Sequence, residues 1–337
     1  MHTASLPDSA DGTSAHFRDT GDCPPSADRA IDLFFELFSG LPRQGPGSAA
    51  GTARALALVP PLPPSARILD VGCGTGAQTI DLARATPAAI HAVELHEPFV
   101  RDLAAKVRRL SLDGRIFPSV GDMRHLAFAP ARFDLIWCEG AIYIMGFDAG
   151  LEAWRPYLRE DGHIAVTEAC WFTAEPPHEC REFWDVEYPA IRSIDANRAA
   201  VRRCGYELVG DFRLPASAWW DDYYLPICRN LESFRKRHPG DEAAATVAAQ
   251  TEREIEMFRR YSDAYGYVFF VMRATTGCGR WLADGDSLLA GEFLNFDVMR
   301  SPAPMRTTVT IRIIQWRRVN LRVLLETDSV LVSVFDV

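Results

Sequence analysis

Asp70, Gly72, Gly74, Gly76, Glu94 and Asp122 are spaced as groups that can hold a nucleoside-bearing ligand. In "ILDVGCGTGAQTIDLA", residues 68–83, an apolar run meets the turn "GCGTG" and passes into a helical pattern. Glycines at alternate positions leave a backbone that a ligand can approach closely. Gly72, Gly74 and Ala77 satisfy the G-x-G-x-x-A spacing of dinucleotide sites, and Glu94 follows at the offset where an acid accepts ribose hydroxyls. On these residues alone an NAD-dependent oxidoreductase is admissible.

Three features favour a different nucleoside, S-adenosylmethionine. Asp70 stands two residues before the first glycine, where a carboxylate repels a pyrophosphate but suits an ammonium, usually through water. Gly76 adds a third open position to the turn. Asp122, in "GDM", leaves the third apolar run where an acceptor can bond the exocyclic amine of adenine. Each group also has a plainer reading. The glycines can be only a tight turn, Glu94 a solvated strand end, and Asp122 a helix cap.

The elements that must position these groups are visible in the pattern. Strand one is expected over 67–71, after the proline cluster "PPLPP". "AIHAVEL", "RIFPSV", "RFDLIWCEG" and "GHIAVTEACW" read as further strands, alternating with helical patterns such as "EPFVRDLAAKVRRLSL" and "GLEAWRPYL". "GYELVGDFRLP" and "YGYVFFVMR" add two more. This alternation predicts an α/β fold, a doubly wound and mostly parallel sheet with helices on both faces. Upstream, "RAIDLFFELFSG" predicts a helix stopped by Gly40, and Ser48 can cap a second one. Residues 1–26, rich in Ser, Asp, Pro, Gly and Thr, are expected to be disordered. Residues 27–273 form the expected catalytic domain, and 274–337 an extension of β-prone runs with no assigned role.

Bulk properties narrow the partners. The net charge of −9 argues against nucleic acid or an anionic membrane as the main partner. Eight cysteines include no C-x-x-C pair, so no metal site is expected and reduced cytoplasmic thiols are the simple reading. No apolar stretch reaches the roughly 18 residues that a membrane span needs.

With "LDVGCGTG", "VELHEPF", "GDM" and "FDLIWCEGAIYIMGF" in place, residues 30–273 resemble the class I S-adenosylmethionine-dependent methyltransferases. "EGAIY" and the closing "YGYVFFVMR" are similar to a group of uncharacterised bacterial small-molecule methyltransferases. The resemblance implies a seven-stranded, Rossmann-like sheet with the last strand antiparallel, N-terminal helices and S-adenosyl-L-methionine as cosubstrate. It implies that Glu94 takes the ribose hydroxyls, Leu95 the adenine face, and Asp122 and Met123 the adenine edge and face. Gly72, Cys73, Gly74 and Gly76 then form the turn around the methionine and ribose portions, and the carbonyl or side chain of Glu139 meets the ammonium. A donor-binding protein without catalysis is the remaining alternative to an enzyme.

The acceptor is expected to be a small molecule. Segments 170–189 and 217–226 follow strands five and six and are dense in aromatics. Trp171, Trp184, Tyr188, Trp220 and Tyr223, with Tyr143 from "EGAIY", are therefore the candidates for a dry acceptor wall. Interleaved acids, Glu168, Asp185, Glu187, Asp221 and Asp222, hint at a cationic or amine acceptor. The turn "RQGPGS" at 43–48 is the alternative entry. The sequence names no catalytic base and leaves the oligomeric state open.

Overall fold

The computed structural model describes residues 27–275, together with the strands Thr308–Ile311, Val323–Thr327 and Val330–Ser333. The expectation of disorder in 1–26 lies outside the described residues, as does the rest of 276–337.

Two helices lead in, α1 (Ala27–Leu37) and α2 (Ala49–Leu56). Ser48 caps α2 as its type predicts, its hydroxyl accepting the Gly51 N–H at 3.0 Å. The alternation then follows as β1 (Arg67–Val71), α3 (Ala77–Ala85), β2 (Ala89–Glu94), α4 (Glu97–Arg109), β3 (Ile116–Val120), β4 (Phe133–Cys138), α5 (Phe147–Trp154), β5 (Leu158–Trp171), α6 (His178–Glu187), β6 (Arg192–Ser193), α7 (Ile194–Arg203) and β7 (Tyr206–Arg213). The short helix α8 (Ser217–Trp219) runs through a π-helical turn, Trp220–Tyr224, into α9 (Leu225–Arg237). Helix α10 (Glu242–Tyr261) and β8 (Tyr265–Ala274) complete the body. Asp241 caps α10 by accepting the Ala243 and Ala244 amides.

The sheet order is β3-β2-β1-β4-β5-β8-β7. Strands β1 to β5 are mutually parallel, and β8 runs antiparallel to both β5 and β7. The chain winds outward from β1 to β3, then restarts on the other side of β1 with β4. That reversal leaves a crevice above the tips of β1, β2 and β4, where open α/β sheets bind ligands. Four of the five β1 residues are buried, because helices cover both faces of the sheet.

Three local details differ from the pattern reading. The two-residue β6, paired with the end of β5, makes the sheet eight-stranded. The helix read at 150–158 lies at Phe147–Trp154 and passes into a 3-10 turn at Arg155–Tyr157, where Pro156 has no N–H to continue the ladder. Strand β5 starts four residues early, at Leu158, and absorbs the extra length in a register shift opposite β4, with Asp161 in the left-handed region at φ 58. The runs of the C-terminal extension form a three-stranded antiparallel sheet in which β10 (Val323–Thr327) lies between β9 (Thr308–Ile311) and β11 (Val330–Ser333). Among the described residues no helix is long and apolar enough to cross a membrane.

Candidate functional site

The crevice holds two adjoining cavities. The larger, of about 200 Å³, is lined by the glycine turn (Gly72, Cys73, Gly74), by Gln78 and Glu94, and by Glu139 to Ala141 with Tyr143 and Ile144. Helix α1 and the loop behind it form its roof, through Ile31, Phe34, Phe35, Phe38 and Arg43 to Pro46, and Phe99 of α4 closes one side. The smaller, of about 70 Å³, is lined by Leu95, Asp122, Met123 and Arg124. Gly72, Glu94, Ala141 and Ile144 line both, so the two are one groove across the strand tips.

Glu94 is fixed by its surroundings. One oxygen accepts the Gly74 N–H at 3.0 Å and the other the His96 N–H at 3.0 Å. Burial raises its carboxyl, against those amide bonds. The glycine turn is open for a reason that can be measured. Gly72 has φ +69, and a Cβ there would stand 2.6 Å from Ala141 Cβ. The Thr75 amide and hydroxyl both donate to Gln44 Oε1, at 3.0 and 2.7 Å. With Gly74 given to Glu94, two of the turn amides that would cradle a pyrophosphate are already engaged, which disfavours a dinucleotide.

Asp70 and Gly76 lie behind the groove rather than on it. Asp70 is fully buried, accepting from Thr79 Oγ1 at 2.6 Å and from Gln78 Nε2 at 3.4 Å. Gly76, at φ +82, starts α3 where a Cβ would meet Leu103. Asp122 turns its own loop, accepting the Arg124 N–H at 2.9 Å.

The side chain of Glu139 is buried and held by three donors. Arg43 Nη1 stands at 3.1 Å, Thr52 Oγ1 at 2.7 Å and Trp137 Nε1 at 2.9 Å. The other arm of the Arg43 fork reaches Asp81 on α3 at 2.8 Å. Gly47 lies so near this pair that a Cβ would come within 3.0 Å of both side chains. Burial raises the Glu139 carboxyl despite its donors.

Burial also pushes the Asp70 carboxyl up to about 7. A carboxyl raised on folding adds stability that is full below its unfolded pKa and lost as pH rises through the folded one. For Asp70 that window runs from about 4 to about 7. His91, His96 and His163 are lowered by burial and act oppositely in part of this range. The clean observable is therefore a difference between two proteins. Asp70→Asn should be more destabilising at pH 5.5 than at pH 8, since only the wild type carries the cost of an ionised Asp70 at the higher pH. Urea unfolding of both at the two pH values tests it, and an equal gap would contradict the assignment.

The aromatic cover is placed differently from the sequence reading. Tyr143 lines the groove, but Trp171, Trp184, Tyr188, Trp220 and Tyr223 do not. Trp184 and Tyr265 pack at 4.8 Å, Tyr223 and Tyr224 at 5.0 Å, and Trp220 lies under Arg259. Trp184, Tyr188 and Tyr223 are core residues. Their segments do leave the tips of β5 and β7, but the seat above β1 and β4 is taken by α1. Tyr188 and Tyr223 back the lining instead, Tyr188 6.2 Å from Tyr143 and Tyr223 6.0 Å from Phe38 between ring centroids.

The residues the sequence reading missed are on that roof. "AIDLFFELF" carries two adjacent apolar stripes: Ala30, Leu33 and Leu37 are buried away from the groove, while Ile31, Phe34 and Phe35, with the buried Phe38, line it. An apolar arc wider than one packing face was the signal available. Arg43 and Gln44 left no pattern, since their partners lie 31 to 96 positions away. His96 stacks flat on Phe35, ring centroids 3.6 Å apart.

Comparison with known proteins agrees with this fold. A methyltransferase domain family matches residues 68–162. Methyltransferase GfsG of Streptomyces halstedii is 30% identical over 103 residues, which cover 30% of this chain and 37% of that protein. The 27-O-demethylrifamycin SV methyltransferase of Amycolatopsis mediterranei is 28% identical over 230 residues, covering 63% of this chain and 79% of the relative. A methyltransferase structure from Thiobacillus denitrificans, solved with S-adenosyl-L-homocysteine, superposes with a TM-score of 0.64 at 20% identity, covering 72% of this chain and 98% of that one.

Proposed function

We infer, for a chain that carries a class I S-adenosylmethionine-dependent methyltransferase domain, that the groove holds the donor and that its methyl group passes to a small-molecule acceptor. The observation that carries this reading is Glu94. It stands at the tip of β2, lines both cavities, and has both oxygens oriented by backbone amides.

The residues fit the donor part by part. Glu94 retains lone pairs for two ribose hydroxyls. Leu95, Met123 and Asp122 give the smaller cavity two apolar faces and an acceptor edge, as an adenine requires. Gly72 and Gly74 admit the methionine and ribose portions, with the Cys73 backbone between them. The Glu139 side chain is committed to Arg43, Thr52 and Trp137, so its carbonyl is the group for the ammonium. Asp70 acts from behind by fixing Gln78, which lines the groove. Gly76 serves by letting α3 start close against Leu103.

When bound, the donor supplies an electrophilic methyl on a sulfonium. The chain's own task is alignment and exclusion of water. Aligning two reactants can supply ~7–11 kcal/mol. The roof formed by α1 and the 43–46 loop performs the exclusion. The reading places the domain at 27–273, with a small metabolite rather than nucleic acid as partner, supported by the charge of −9. A cytosolic location is part of it, supported by the free thiols of Cys73, Cys138, Cys170, Cys180, Cys204 and Cys228.

Calorimetry tests the donor. S-adenosylhomocysteine should bind with Kd in the micromolar range, about −8 kcal/mol, and NADH should not bind. Glu94→Ala should weaken binding by ~1.5–3 kcal/mol, the range for hydrogen bonds to a charged group. A folded variant with unchanged affinity would overturn the assignment. Labelled donor incubated with a metabolite extract and read by mass spectrometry then separates an enzyme from a silent binder.

A further inference from the structure

The acids scattered through the aromatic cover suggested a cationic acceptor, but they do not reach the groove. Asp185 and Asp221 are exposed, Glu168 is buried, and neither these nor Glu187 and Asp222 line either cavity. The charged groups that do line the larger cavity are committed to neighbours within the protein. Glu94 accepts two backbone amides, and Arg43 and Glu139 hold each other.

What faces the cavity from α1 is apolar and partly uncovered. Ile31, Phe34 and Phe35 are half-buried there, although Ala30, Leu33 and Leu37 already supply the packing face of the same helix. Phe34 stacks on Phe38 at 4.2 Å and Phe35 on His96, so the rings form a fixed wall. The helix itself is anchored from the far side. Asn230 of α9 donates to the carbonyls of Leu37 and Ser39, at 2.9 and 3.1 Å, and Glu36 pairs with Arg237 and His238. Apolar side chains held open toward a cavity have their unburied area as an unspent contribution to binding.

We propose that helix α1 is the acceptor-selecting wall and that the acceptor is an uncharged, lipophilic small molecule, held against Ile31 and Phe34 beside the donor. The proposal rests on the donor reading above for the position of the transferred methyl group. It assigns specificity to a helix outside the 68–162 domain match.

The test uses the full chain saturated with S-adenosylhomocysteine and the uncharged fluorophore N-phenyl-1-naphthylamine. A saturable fluorescence rise is expected that persists at saturating S-adenosylhomocysteine. 1-Naphthol should displace the fluorophore, and 1-naphthylmethylammonium should need about tenfold more, since its charge would have to be desolvated against an apolar wall. Phe34→Ser and Ile31→Ser should each weaken the fluorophore about tenfold, and by more than they weaken S-adenosylhomocysteine, in variants shown by their melting to be folded. Phe34→Leu should retain most of the binding. Equal displacement by the ammonium, or no effect of either serine variant, would overturn the proposal. So would simple competition between fluorophore and S-adenosylhomocysteine, which would assign the wall to the donor. Failure of the donor reading shows separately, as absence of S-adenosylhomocysteine binding in the wild type.

Discussion

Arg43→Ala should destabilise the protein by about 3–5 kcal/mol, the usual cost of removing one partner from a buried ion pair. Arg43 is only 6% exposed, and its fork joins three parts of the chain: the loop after α1, Asp81 on α3 and Glu139 after β4. Without it, Glu139 keeps the Thr52 and Trp137 donors but has lost its countercharge. Burial already raises this carboxyl, and removing Arg43 removes the first of the influences that lower it. The variant should therefore recover part of its stability as the pH falls and Glu139 takes up a proton. At roughly 2–4 °C per kcal/mol for a protein of this size, a melting temperature lowered by ~6–20 °C is expected near neutral pH, and by less at acidic pH. Arg43→Met combined with Glu139→Gln should regain much of the loss, because the orphaned charge is gone. If the single variant melts like the wild type at every pH, the pair contributes nothing.

How far the site was legible depends on how local its parts are. The path from β1 through the glycine turn into α3 is one contiguous stretch, and its apolar run, glycines and helical period all occur within residues 68–83. Glu94 and Asp122 were also legible, each at the tip of a short strand where a single acid interrupts or ends an apolar run. The Arg43–Glu139–Thr52 network was not legible, because it is a coincidence of three loops in space with no spacing rule between them. The aromatic cover shows a different limit. Trp184, Tyr188 and Tyr223 do follow β5 and β7 in the chain, as the strand pattern implied. Which side of a cover helix faces the crevice depends on what already sits there, and α1 occupies that seat. The antiparallel last strand came with the family resemblance, and the sheet order was not read at all, since alternation is compatible with several doubly wound orders.

The sharpest test of the groove itself is steric. Gly72→Ala should cost about 1–3 kcal/mol for placing a side chain in the left-handed region. It should cost about 1–3 kcal/mol more for the overlap with Ala141, since a Cβ 2.6 Å from another Cβ cannot be relieved by turning a side chain. The backbone must move instead, and the atoms that move are the glycine turn and the loop after β4, the two edges of the groove. The Gly72 amide also donates to the Val93 carbonyl at 2.8 Å, so the displacement reaches the strand that carries Glu94. Loss of S-adenosylhomocysteine binding is therefore expected beyond what the stability change explains. Gly205→Ala is the matched control. Gly205 has φ +78 between α7 and β7, and a Cβ there would meet nothing within 4 Å. It should show the conformational cost alone and leave ligand affinity intact. Urea unfolding and calorimetry on both variants separate the two contributions. If Gly72→Ala behaves like Gly205→Ala in both measurements, the turn and the Ala141 loop are not held in the contact described, and the groove is wider than its lining implies.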